Sequence, residues 1–306
     1  MSSNPDSQPL NPSTQVFRWS KSVEDADVDW WETELTVEGV SFVSEKIANR
    51  KRWKFMVYDP TRELCEGLKT KFGGGVAEIR DQEWKPALDG GAGVIRVRNR
   101  LIVTESGEAD FLKTLHEENP GRDVLSFPPQ LAFGTGFHPT TAGCLRLLVD
   151  ATRDLPEGEW KTLDLGCGSG ILAIAAEKLG SGEITAIEFD ELALRVAIKN
   201  AKLHDVDESK INFLGDDAVD WLDHSDFSKP EQKYEIVAAN LFSSLLVAIM
   251  PNVPRCLTEG GTVILSGFLT SQTKEVFEAA QSVGIHLDKF LRRGKWVAAA
   301  GKMADS

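Results

Sequence analysis

The chain has 306 residues, room for two ordinary domains, and its 47 acidic against 34 basic side chains leave a formal charge of -13. Such an excess of acid disfavours general binding to a phosphate backbone and suits a basic partner. No run approaches the ~18 apolar residues of a membrane span. The four cysteines (Cys65, Cys144, Cys167, Cys256) lie far apart without a CxxC pair, which argues against zinc or a disulfide framework and for a reducing cytoplasm.

Residues 1–14, MSSNPDSQPLNPST, lack the basic and apolar regions of a signal peptide and read as a disordered leader. Residues 15–85 mix short strands and helices. Trp30 to Val43 passes from helix to strand, Lys51 to Asp59 is a strand, Thr61 onward is a helix stopped by Gly73 to Gly75, and GVAEIRDQEW is another strand. This order predicts a small α+β domain. Residues 86–127 read as a linker carrying a β-hairpin, GVIRVRNRLIVTE, followed by a polar acidic stretch up to Pro128 and Pro129.

From residue 128 to 306 the pattern becomes regular. A helix starts at Thr140, and KTLDLG, EITAIEF, KINFLG, YEIVAANL and GGTVILSGF are strands, most of them followed by apolar-periodic helices. Strand and helix in alternation give a parallel sheet covered on both faces. Two final strands joined near Gly294 add an antiparallel hairpin at the edge.

The most informative segment is Asp164-Leu165-Gly166-Cys167-Gly168-Ser169-Gly170, placed between a strand and a helix. Glycines let the backbone turn sharply and approach a ligand, and the helix behind them presents free N–H groups. Glu188 ends the next strand, where a carboxylate accepts bonds from ribose hydroxyls. Dinucleotide sites use GxGxxG, whereas this loop is DxGxGxG without a second nucleotide-binding half. S-adenosylmethionine fits better: it has no pyrophosphate to cradle, and its amino group wants an anion such as Asp164. Gly215-Asp216-Asp217, after the third strand, either places an acid at the adenine amino group or is a solvated turn. Asn240, after the fourth strand, lies where ligands bind in open parallel sheets. Its amide oxygen can accept a bond from an amine, the alternative being a helix cap. His138 reads as a structural loop residue.

These residues, with the run Leu131-Ala132-Phe133-Gly134-Thr135-Gly136-Phe137-His138-Pro139-Thr140-Thr141, LSGFLTSQ from Leu265 and the Lys295-Trp296 strand, resemble the ribosomal protein L11 methyltransferase family. The resemblance covers residues 125 to 302 closely. It implies a class I methyltransferase domain, doubly wound and mostly parallel with an antiparallel edge hairpin. It also implies a smaller ferredoxin-like N-terminal domain that holds the ribosomal protein. In that family the cofactor contacts fall at Thr141, Gly166, Glu188 and Asn240. Phe133, Gly134, Asp164, Gly168, Gly170 and Asp216 complete the expected cofactor set, and Asn240 with the adjoining carbonyl of Leu241 is the expected catalytic pair. The acceptors implied are lysine and N-terminal amines of L11, handled by a cytoplasmic monomer without metal, nucleic acid or membrane. Phe137 stands where the family commonly has Thr, Glu188 where it has Asp, and NLFSSLL where it has N-I-L-A-G-P-L. A lysine methyltransferase acting on another protein such as the electron-transfer flavoprotein β subunit, a small-molecule methyltransferase and a cofactor-binding assembly factor are the competing readings.

Overall fold

A computed structural model describes residues 16–38, 40, 42–47, 51–59, 61–79, 93–128, 137–207 and 209–304. The chain divides into two compact units, Met1–Asp89 and Gly90–Ser306.

In the first unit the described elements run β1 (Val16–Glu24), α1 (Val28–Val37), β2 (Phe42–Lys46), β3 (Arg52–Asp59), α2 (Arg62–Phe72) and β4 (Gly75–Ile79). The strands pair in the order β2-β3-β1-β4, antiparallel throughout, which is the split β-α-β of ferredoxin-like domains. Side chains of a strand alternate between faces, so Trp19 and Val23 of β1 and Phe55 and Val57 of β3 share one face. They are buried with Trp31 and Leu35 of α1 and Cys65 and Leu68 of α2. A buried indole needs an acceptor. Trp19 Nε1 donates to the carbonyl of Gly73 at 2.7 Å, where Gly73 ends α2 at φ 71.

The second unit opens with the expected hairpin, β5 (Val94–Val97) and β6 (Leu101–Thr104). The described part of the stretch expected as a linker does not stop there. It continues into α3 (Ala109–Glu118) and β7 (Asp123–Ser126), which pairs parallel to β6. Val97, Leu101, Val103 and Leu125 of this small sheet are buried in one core with α4 (Pro139–Ala151). The acidic composition of 109–118 hid an amphipathic helix whose Leu115 is buried.

The large sheet follows. Its elements are β8 (Lys161–Leu165), α5 (Ile171–Lys178), β9 (Glu183–Ile187), α6 (Glu191–Leu203), β10 (Ile211–Leu214), α7 (Ala218–His224), β11 (Tyr234–Asn240), α8 (Ser243–Ile249), α9 (Val253–Cys256), β12 (Leu257–Leu269), α10 (Thr273–Ser282), β13 (Ile285–Arg293) and β14 (Trp296–Met303). The strand order is β10-β9-β8-β11-β12-β14-β13. The first five are parallel, and β14 inserts antiparallel between β12 and β13, so the edge hairpin is present with its second strand on the inside. This is the class I methyltransferase arrangement. Thr162 to Leu165 of β8 are all buried, as a strand covered on both faces requires. The chain leaves β8 toward β9 and later returns on its other side as β11. That reversal is where an open α/β sheet forms a crevice at the carboxyl ends of its strands. No helix among the described residues is long and apolar enough to cross a membrane.

Candidate functional site

The loop after β8 carries out three left-handed turns. Gly166, Gly168 and Gly170 have φ of 70, 55 and 78, a region that penalises any residue with a Cβ. Packing adds a second reason at two of them. A Cβ on Gly166 would lie 2.3 Å from Leu241 Cδ2, and one on Gly170 would lie 3.0 Å from the Cβ of Ala197 on α6.

Glu188, just beyond β9, holds the loop from one side. Its Oε2 accepts the N–H of Gly168 at 2.8 Å and its Oε1 accepts the N–H of Asp190 at 3.0 Å. A carboxylate has about four acceptor positions, so capacity remains for two hydroxyls. Burial raises its pKa, against the backbone N–H groups of Asp190, Gly168 and Phe189, which favour the charge. Asp190 accepts from Leu192 N and Ala193 N, caps α6 and so fixes the position of Glu188.

Asp164 is fully buried on β8. Its Oδ2 accepts the N–H of Ala173 in the first turn of α5 at 3.1 Å, and its Oδ1 has no hydrogen-bond partner among the described residues. Burial, with a smaller contribution from the charge of Glu188, pushes its carboxyl up to about 7. A buried acceptor without a donor costs free energy, about 1–3 kcal/mol, and marks a place where a donor belongs.

The second such acceptor is on the neighbouring strand. β11 pairs with β8 through Ala239 and Leu165, so Asn240 comes next to Gly166. Asn240 Nδ2 donates to Thr141 Oγ1 at 3.3 Å, and Oδ1 is buried without a partner. The helix-cap alternative for Asn240 is absent from the geometry: α8 begins after Phe242, with no side-chain cap. Thr141 is fully buried near the start of α4. His138 caps that helix, accepting from Thr140 N, and its ring stands edge-on to Trp296 at 4.9 Å. Burial, assisted by Lys295, holds His138 down at about 4, so the ring is neutral at pH 7.

Leu241 is the hinge between the two halves of the site. Its side chain lies against Gly166, and its N–H donates to the carbonyl of Ser266 at 3.0 Å. Its own carbonyl passes over Gly267, where a Cβ would lie 2.2 Å from the oxygen. Gly267 has φ 94 and sits at a register shift between β12 and β14, a bulge of the kind found beside active sites.

The structure therefore brings together Asp164, Gly166, Gly168, Gly170, Glu188, Thr141, Asn240 and Leu241. Asp216 is exposed after β10, its Oδ1 accepting the N–H of Asp217, while Asp217 caps α7 through Val219 N and Asp220 N. Phe133 and Gly134 lie outside the described residues. Sequence reasoning missed two supports of the loop on α6, Ala197 and Asn200. The available signal was an Asn on the apolar stripe of a helix.

The profile of the ribosomal protein L11 methyltransferase family matches residues 21–304. The L11 methyltransferase of Chromohalobacter salexigens is 32% identical, with 89% of this chain and 82% of that protein covered. That of Acetivibrio thermocellus is also 32% identical, over 76% of this chain and 68% of its own length. The crystal structure of an L11 methylase from Lactobacillus delbrueckii subsp. bulgaricus superposes with a TM-score of 0.55 at 25% identity, covering 69% of this chain and 99% of that one. With the glycine loop, Glu188 and Asn240 arranged at the crevice of a methyltransferase sheet, the chain belongs to the ribosomal protein L11 methyltransferase family.

Proposed function

We propose that the protein transfers a methyl group from S-adenosylmethionine to amines, lysine side chains and the N-terminal amine, of ribosomal protein L11. The observation that carries the reading is the pair of buried, unpartnered oxygens, Asp164 Oδ1 and Asn240 Oδ1, on adjacent strands beside a glycine loop. The residues fit the cofactor. Glu188 would accept the ribose hydroxyls, Asp164 would face its cationic amino group, and the left-handed turn at Gly166 would bring the loop backbone to it. Asp216, Phe133 and Gly134 complete the proposed set. When bound, S-adenosylmethionine supplies a methyl group already activated on a sulfonium.

The protein's task is then positioning and desolvation. Lysine has a pKa of about 10.4 in water and must lose its proton to attack. An apolar surround lowers that value. Asn240 Oδ1 and the Leu241 carbonyl accept the N–H groups of the neutral amine, which turns its lone pair away from them. Thr141 fixes the amide by accepting from Nδ2, leaving the oxygen for the acceptor. The acidic surface suits a basic protein, and the N-terminal unit is the proposed docking element for it.

The test is transfer of label from S-adenosylmethionine to purified L11, followed by mass mapping. Methylation of lysine and N-terminal amines supports the reading. No transfer to L11 together with labelling of a different protein in extract overturns the substrate.

A further inference from the structure

The last turn of α6 carries two polar groups that the catalytic reading does not use. Asn200 is fully buried, and its Nδ2 donates to the carbonyl of Ser169, inside the glycine loop, at 2.8 Å. Ser169 lies between two glycines with left-handed φ, so its peptide planes are set by outside contacts as well as by its neighbours. One turn on, His204 bridges α6 to β7. Its Nε2 accepts the N–H of Ser126 at 2.9 Å, and its Nδ1 lies 2.7 Å from the carbonyl of Asn200. A backbone N–H can only donate and a carbonyl can only accept. The ring must therefore be neutral with its proton on Nδ1. The N–H of His204 donates to the same Asn200 carbonyl at 3.1 Å, and the ring stacks on Phe127 at 4.8 Å.

We infer that Asn200 and His204 are positioning residues that set the shape of the glycine loop, and hence cofactor affinity, through the last turn of α6, with His204 competent only as the neutral imidazole. The inference rests on the reading of that loop as the S-adenosylmethionine site. Asn200 holds the Ser169 carbonyl directly. His204 holds the backbone of Asn200 in place from the β5–β6–β7 sheet. An imidazolium would turn Nε2 into a donor facing the donor of Ser126 and break the bridge.

The surroundings oppose that charge. Burial lowers the His204 pKa, Lys178 on α5 lowers it further, and the Asn200 carbonyl and Asp205 act the other way. Lys178 also faces Asp123 on β7 and pairs with Glu177. Because its folded pKa is depressed, the ring keeps the bridge below the ordinary value of about 6.5; the stability it contributes is full above that value and is lost as pH falls toward the folded value, where the bridge breaks.

The experiment measures the dissociation constant of S-adenosylhomocysteine and the ligand-free Tm for the full chain and for Asn200→Ala, Asn200→Ser, His204→Phe and His204→Gln, from pH 5.5 to 7.5. Asn200→Ala should weaken binding at least tenfold at pH 7.5, with the loss seen in the KM for S-adenosylmethionine more than in kcat. His204→Phe should weaken it several-fold. His204→Gln keeps an acceptor for Ser126 that does not titrate, so it should restore affinity and flatten the acid side of the pH profile relative to the parent. Asp164 and Glu188 titrate in both proteins and cancel in that comparison. A lowered Tm with unchanged affinity in Asn200→Ala and Asn200→Ser, or equal pH slopes in the parent and His204→Gln, overturns the inference and leaves the cofactor site standing. Failure of the parent chain to bind S-adenosylhomocysteine overturns both.

Discussion

The proposed cofactor half and the proposed acceptor half of the crevice are built on different principles. On the cofactor half the backbone does the work: three left-handed glycines, a carboxylate that takes Gly168 and Asp190 N–H groups, and a helix packed within van der Waals contact of Gly170. On the acceptor half a side-chain oxygen waits without a donor, and beside it Phe242 is 48% exposed. Each half keeps one buried oxygen without a partner, Asp164 Oδ1 in the first and Asn240 Oδ1 in the second. The first half is the more closed, because backbone turns and helix packing fix its shape; the second is the more open, because it ends at an exposed aromatic ring.

The largest effect should come from the open half. Asn240→Ala removes the acceptor proposed to orient the amine, and misorientation of a reacting group costs about 10²-fold or more. Turnover at saturating cofactor should fall by that order while the CD spectrum and Tm stay near those of the parent. Steady-state kinetics with L11 measure it; parent-like turnover would return Asn240 to a structural role and blur the contrast between the halves.

A smaller, complementary effect is expected on the closed half. Glu188→Ala forfeits charge-assisted bonds worth roughly 1.5–3 kcal/mol each. The dissociation constant for S-adenosylhomocysteine should rise at least tenfold, with kcat at saturation much less affected. The two variants thus separate kcat from KM along the line dividing the halves. Calorimetric titration is the measurement, and an unchanged constant removes Glu188 from the site.

The smallest effect is a matter of pH. Burial raises Asp164 to about 7, so it is largely protonated at pH 6 in the folded protein but ionised in the unfolded chain. A carboxyl with a raised folded pKa binds more protons when folded, so stability falls as pH rises from about 4 toward 7. Asp164→Asn should abolish that slope and raise the Tm by a few degrees at pH 8. Affinity for the cationic cofactor should fall there, because the neutral amide no longer meets an ammonium. Thermal melts and binding at pH 6 and 8 check both signs.

The closed half was legible in the sequence because its determinants are local. DLGCGSG and Glu188 lie within one strand–loop–helix–strand unit, and glycine spacing reports backbone conformation directly. Asn240 was legible from its place after the fourth strand. Its partner Thr141 was known only through family resemblance, since the two are brought together by the packing of α4 on the sheet. Asn200 and His204 escaped for the same reason: nothing near them in sequence announces Ser169 or Ser126 as their partners. In the fold, β1, α3, β7 and α7 were not resolved as elements. β7 is only four residues long and α7 only seven, too short for periodicity to show. In β1 the alternation of apolar and polar residues is broken by Lys21 on the apolar face, and four of the ten residues of α3 are charged.

Leu241 makes the two halves mutually dependent. Its side chain touches the first glycine of the cofactor loop, and its carbonyl crosses Gly267 with no room for a methyl group. A bulkier residue at position 241 is expected to press on Gly166, and any side chain at position 267 to displace the Leu241 carbonyl proposed to face the amine. The neighbouring Phe242 is exposed and takes no part in this interlock, so a substitution there is expected to leave cofactor binding intact.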